Sequence, residues 1–259
     1  MVGAAAGALL VVAGVVTAVV VGRDDGPAVA GGTTGPALTS DVVPAAGTGA
    51  TTVQTAPRSV PDTSGIDGVL AWDTAGYPGT GTPSAGTLGH DHVTGPVTYA
   101  VLPPVGGPHD AIWMNAGTYT RAVPSERAVH DLEHGAVWIT YAPSLPADQV
   151  TRLREFVDRQ TVIDESVATK IAGQGNRYVD LTPWAGAALP SPIVISAWGH
   201  QLRFTDPADP RLQRFVDVFR NSATYSPEHG SPVDGVPAET GGKAAADGAT
   251  VANPPGTAG

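Results

Sequence analysis

All five tryptophans, six tyrosines and four phenylalanines of the chain fall between residues 66 and 230. Burying such rings is what offsets the entropy lost when a chain orders itself, so the folded part is expected within that block. Its length suits one domain. Residues 23–65 and 231–259 are rich in Gly, Ala, Thr and Pro and poor in anything a core can use. They read as a disordered linker and a disordered tail.

Inside residues 66–230 the periodicities alternate. Val97–Leu102 predicts a strand that stops at Pro103-Pro104, and Ser125 is positioned to cap a short helix that Gly135 ends. Ala136–Tyr141 is β-prone and suits a central strand. Pro146 opens a helix with Val150, Leu153 and Val157 on one stripe. Tyr178–Leu181 and Ile193–Trp198 predict two more strands, and a two-residue turn at Gly199-His200 leads back into Gln201–Phe204. Asp209 and Pro210 start a helix whose Leu212, Phe215, Val216 and Phe219 fall on one face. This order predicts an α+β domain with a mixed β-sheet and flanking helices. A thioredoxin-like arrangement has the same element order.

Val2 to Gly22 is a run of 21 residues without a charge. As a helix it is about 30 Å long, the thickness of the hydrocarbon layer, so residues 1–22 read as one transmembrane helix. A cleaved signal peptide is the rival reading, with Ala28-Val29-Ala30 as the cleavage site, but such signals have a shorter apolar core and a basic start. Arg23 taken alone would put the domain in the cytoplasm. The Thr/Gly/Pro-rich stalk suits an extracytoplasmic spacer better, and a single-pass protein of the cell membrane with its domain outside is the expectation.

Charge and composition exclude several functions. Lys and Arg total 14 against 24 Asp and Glu, a net charge of −10, and the only lysines are Lys170 and Lys243. No basic surface exists to meet a phosphate backbone, so no nucleic-acid partner is expected. Cysteine is absent, which removes thiolate nucleophiles, iron–sulfur clusters and cysteine zinc sites. A metal would have to rest on His, Asp and Glu. No Gly-x-Ser-x-Gly elbow supports serine catalysis, and Gly106-Gly107 precedes Pro108 rather than a phosphate-binding helix.

The block from about Ile66 to Phe219 resembles the uncharacterised actinobacterial family called domain of unknown function 3105. The resemblance is carried by His92-Val-Thr-Gly-Pro-Val-Thr-Tyr99, by Pro103-Pro104-Val-Gly-Gly107-Pro-His109, by Trp113 and by Gly117-Thr-Tyr119. It continues through Val129-His130-Asp-Leu-Glu133-His134-Gly135-Ala-Val-Trp-Ile-Thr-Tyr141. Leu189-Pro-Ser-Pro-Ile, Ser196-Ala-Trp198-Gly and Asp209-Pro-Arg-Leu212 close it. The resemblance implies a single-span membrane protein and no known reaction. It also implies a cysteine in many relatives where this chain has Ala116, and another near Val233. If these are bridged in relatives, this chain lacks both halves and its C-terminal tail is less constrained.

His130-Asp-Leu-Glu133-His134 is the chemical centre of the sequence. Four residues apart on a helix, two imidazoles leave the same side, with Glu133 beside them and Leu132 and Ala128 opposite. His92 and His109 match the family's pattern and are the natural companions. The candidate metal ligands are thus His92, His109, His130, His134 and Glu133, and neutral imidazoles suit zinc or copper better than magnesium or calcium. Glu133 ligates in this reading, or holds a ring N–H. His90 reads as solvated, His200 as a turn residue and His229 as incidental.

Two other readings stand beside it. In one, the histidines are structural and the domain is a non-enzymatic module that binds an envelope protein or a wall component. In the other, His-x-x-Glu-His marks a metal-dependent hydrolase, as in inverted zinc peptidases. Those enzymes place the motif on a long helix and take a downstream Glu as third ligand. Here Gly135 ends the helix, and Glu155, Glu165, Glu228 and Glu239 lie in no second helical motif.

Overall fold

A computed structural model of the chain describes residues 39–40, 43–74, 85–164, 175–234 and 236. The expected anchor over residues 1–22 lies outside these, as do residues 23–38 of the expected linker. Among the described residues no helix is long and apolar enough to cross a membrane.

In chain order the first strands are β1 (Thr39–Ser40), β2 (Thr52–Val53), β3 (Ser59–Val60), β4 (Leu70–Trp72), β5 (His92–Val93), β6 (Val97–Thr98), β7 (His109–Asp110) and β8 (Thr118–Tyr119). Helix α1 (Ser125–His134), β9 (Val137–Tyr141) and α2 (Ala147–Asp158) follow. Then come β10 (Ile163–Asp164), β11 (Gly175–Asn176), β12 (Val179–Pro183), β13 (Ile193–Ala197), β14 (His200–Phe204) and α3 (Pro210–Phe219). The main sheet has the order β1-β8-β12-β9-β13-β14-β4-β3. It is mixed: β1, β8, β12 and β9 run parallel, and β13, β14, β4 and β3 each pair antiparallel with their neighbours. The expected α+β class with a mixed sheet is what the chain adopts.

β9 is the central strand the sequence predicts, buried at all five positions. Its alternation divides the core. Val137, Ile139 and Tyr141 join Leu153, Phe156 and Val157 of α2 and Leu212, Phe215, Val216 and Phe219 of α3 in one cluster. Trp138 points the other way, into a second cluster with Ala128, Val129 and Leu132 of α1 and with Tyr119 and Trp198. Successive strand residues face opposite sides, so α1 covers one face of the sheet and α2 with α3 the other. At α3, Asp209 caps as expected, accepting from Arg211 N at 2.9 Å.

The start of α1 differs from expectation. Pro124 stands at the N-cap and makes no side-chain cap bond, and Ser125 is the first helical residue. Gly135 ends the helix at φ 107°, and the Ala136 N–H returns to Asp131 O at 2.8 Å. A Cβ on Gly135 would also lie 3.0 Å from the Asn221 Cα. The strand expected over Val97–Leu102 shrinks to Val97–Thr98, and the Ala100 N–H goes to Gln54 Oε1 instead of a ladder. The β13–β14 turn is shifted by one residue: Ala197 pairs with His200, leaving Trp198-Gly199 as the turn, with φ +71° at Gly199. That is the position where a type II turn needs glycine.

Residues 43–65, expected as linker, are drawn into the fold. β2 pairs with β6, and β3 extends the main sheet beside β4. The glycines there serve close approach rather than flexibility. A Cβ on Gly49 would fall 2.3 Å from Thr94 Oγ1, and one on Gly95 would fall 2.3 Å from Ala50 O. The expected tail likewise begins too early at 231. Tyr178 OH donates to Ser231 O, Trp113 Nε1 to Asp234 O, and Asn115 exchanges two hydrogen bonds with the Val236 backbone. Ala116 and Val233 do meet, in a small buried cluster with Ala136 and Tyr178, and Ala116 N donates to Val233 O at 2.6 Å. No thiol is needed to hold this end in place; the side chains of Trp113, Asn115 and Tyr178 and the Ala116 N–H do it.

Candidate metal centre

Three pieces of chain converge on one point. The parallel pair β5–β7 sets His92 directly opposite His109, and the last turn of α1 supplies His130, Glu133 and His134. One ligand atom from each of His92, His109, His130 and Glu133 lies within 4.8 Å of all the others. Edges of a tetrahedral zinc site with nitrogen ligands measure about 3.3 Å, well inside that spread. Ring centroids are 4.9 Å apart for His92–His109, 4.9 Å for His109–His130 and 5.3 Å for His92–His130.

The buried rings are oriented by main-chain carbonyls. His109 Nδ1 donates to Gly107 O at 2.8 Å, His130 Nδ1 to Asp110 O at 2.7 Å and His134 Nδ1 to Pro232 O at 2.5 Å. A carbonyl only accepts, so each neutral ring carries its proton on Nδ1 and turns the Nε2 lone pair inward. This is the arrangement that metal-ligating histidines use to fix tautomer and direction. Two contacts follow that are unfavourable without a positive charge between the partners. His109 Nε2 lies 2.9 Å from Glu133 Oε2 yet makes no hydrogen bond of acceptable geometry, and His130 Nε2 lies 2.9 Å from His134 Nε2. A proton can occupy either spot; so can a divalent cation, which neutralises both.

The electrostatics of the rings diverge. Burial, followed by the charges of His134 and His109, holds His130 well below the usual histidine range, so it is neutral at physiological pH. Burial acts the same way on His109, but the adjoining Glu133 carboxylate, together with the Gly107 carbonyl, outweighs it and raises its pKa. His92 is lowered by burial and by His109. Neutral rings are what a metal requires.

His134 stands beside the four-donor group rather than within it, between His130 and Glu228, whose Oε2 is 3.5 Å from its Nε2. His200 is not a turn residue. It opens β14, buried, its ring against Phe219 and Tyr225, and Nδ1 donates to Trp198 O. His229 is exposed.

Several supporting residues carry no signal in the sequence. Gln54, from the segment read as linker, donates to Gly106 O at 2.9 Å and accepts from Ala100 N, bracing the loop that delivers His109. A Cβ on Gly107 would fall 2.0 Å from its amide nitrogen. Behind the centre, Asp131 of α1 accepts from Met114 N and Asp180 of β12 accepts from Gly117 N. The Asp180 side chain also meets that of Asp131, and burial pushes its pKa up to about 7. Two carboxyls bond each other only when one is protonated, so one proton shared by this pair would tie α1 to the sheet.

Residues 90–235 match the family described as "Protein of unknown function (DUF3105)". The chain belongs to this DUF3105 family. The matched span contains all five nominated residues, whereas Gln54 and strands β1 to β4 precede it. Comparison with curated proteins and with solved structures gave no match.

Proposed function

We propose that this DUF3105 protein is a membrane-tethered, extracytoplasmic binder of a transition metal, zinc or copper, held by His92, His109, His130 and Glu133 with His134 alongside. The observation that carries the reading is the pair of buried rings, His109 and His130. Each is tied by Nδ1 to a backbone carbonyl and aims Nε2 at a common point shared with a buried carboxylate. Three nitrogens and one oxygen, with no sulfur, suit borderline cations such as zinc and copper(II). The apolar run Val2–Gly22 supports the tether. Hydrolysis is the weaker reading, because Glu133 sits among the donors instead of standing off as a base for bound water.

The test uses the full chain in detergent. Metal content is measured by mass spectrometry for the wild type and for His130→Ala and His134→Ala. One zinc or copper per chain is expected, lost in His130→Ala and weakened in His134→Ala. A wild type that takes up neither metal, at undiminished stability, removes the proposal. Recovery of the chain in the soluble fraction without detergent would remove the tether.

A further inference from the structure

Of the four donors, three are locked and one is not. His109, His130 and Glu133 are 0%, 4% and 2% exposed. The two rings are held by Gly107 O and Asp110 O, and Glu133 lies on a helix turn sealed by Gly135. His92 is exposed and sits on a two-residue strand joined to β7 alone. Among the described residues no hydrogen bond orients its ring. It is kept near the centre by packing, edge-on against His109 and stacked at 19° on His130. Asp91 beside it is exposed and the half-exposed Glu228 sets Oε2 3.5 Å from His134 Nε2, so the mouth beside His92 is acidic, while Asp110 is paired with Arg127 at 3.6 Å.

Resting on the metal-binding reading above, we propose that His92 is the exchangeable ligand of this centre, and that its place is taken by a neutral nitrogen donor, such as the imidazole of an incoming protein or peptide. The step is a ligand substitution. The bond from the metal to the His92 nitrogen breaks, one to the entering nitrogen forms, and no electron or proton changes hands. Cations are drawn to the acidic mouth and anionic donors repelled, which favours imidazole over carboxylate. Release then needs one exposed side chain to swing out, whereas freeing His109 or His130 requires the loop 103–109 or α1 to come apart. Such a centre passes its ion to a histidine-bearing partner without unfolding.

The experiment loads the full chain, in detergent, with cobalt(II), whose visible absorption reports its ligands, and follows loss of the ion to a chelator. His92→Ala and His92→Gln are expected to keep one cobalt per chain but to release it about tenfold faster or more. Added imidazole should restore slow release and the wild-type spectrum, and added acetate should not. Near-UV circular dichroism verifies that both variants are folded. If they lose cobalt as completely as His130→Ala, His92 is a fixed ligand and the inference fails. Release and spectrum unchanged from wild type would show that His92 is no ligand. Rescue by acetate as good as by imidazole overturns the donor class. A wild type that takes up no cobalt is a different outcome and brings down the metal centre itself.

Discussion

The two faces of the sheet are built on opposite terms. Helix α2 buries three residues, Leu153, Phe156 and Val157, and α3 buries four, all apolar. Helix α1 is no longer than α3, yet it buries eight residues, of which Arg127, His130, Asp131, Glu133 and His134 are polar and ionisable. Apolar burial on the α2–α3 face stabilises in proportion to area and needs no particular direction. Each buried polar group on the α1 face costs free energy unless a partner meets it at hydrogen-bonding distance. Here main-chain groups of 107, 110, 114, 117 and 232 fill that role. The contrast teaches that one face secures the fold while the other uses that security to hold a site.

The largest effect should come from the apolar face. Phe215→Ala removes a fully buried ring and is expected to cost about 3–5 kcal/mol in denaturant unfolding, with metal per folded chain unchanged. Loss of metal in the folded fraction would erase the distinction between the faces. Next comes the metal itself. Zinc at about 100 times its dissociation constant should stabilise the wild type by about 2.7 kcal/mol and leave His130→Ala unmoved, as read by thermal unfolding.

The acid–base chemistry of the α1 face gives a smaller, signed effect in the metal-free protein. His130 is held below its unfolded value of 6.5, so its contribution is present above pH 6.5 and declines as pH falls toward the lowered value. Asp180 is raised from 3.8 to about 7, so its contribution is full below 3.8 and is lost as pH rises through about 7. Stability should therefore peak in mildly acidic solution. Asp180→Asn should flatten the alkaline side, and an unchanged pH profile would dismiss the shared proton. The smallest effect is expected from Gln54→Ala, about 1 kcal/mol of stability and a measurable weakening of zinc affinity by calorimetry. Unchanged affinity would show that the loop carrying His109 stands without its brace.

Much of the apolar face was legible. The stripe Leu212, Phe215, Val216 and Phe219 and the β-prone run at 137–141 stand where periodicity puts them, because burial selects side-chain type at a fixed repeat. The segment expected as linker is held by main-chain pairing and close glycine contacts, and the start of the expected tail by hydrogen bonds from Tyr178, Trp113 and Asn115 to its main chain. Main-chain pairing leaves no side-chain pattern to read. Half the centre was legible too, since helical spacing alone puts His130 and His134 on one side. His92 and His109 were nominated only through the family resemblance. Asp131 with Asp180, and Gln54 under His109, gave no sign, being partners distant in sequence.

The sequence by itself determined the α+β class, the apolar stripes, the absence of any thiolate ligand and the paired imidazoles on α1. Those follow from local repeat and residue chemistry, which a linear chain records directly. Only the tertiary structure decided that His92 faces His109, that His134 stands one step aside and that three ring nitrogens are turned inward by carbonyls. Each of these depends on which backbone atoms from remote segments arrive beside a given ring, and that is a property of packing in three dimensions.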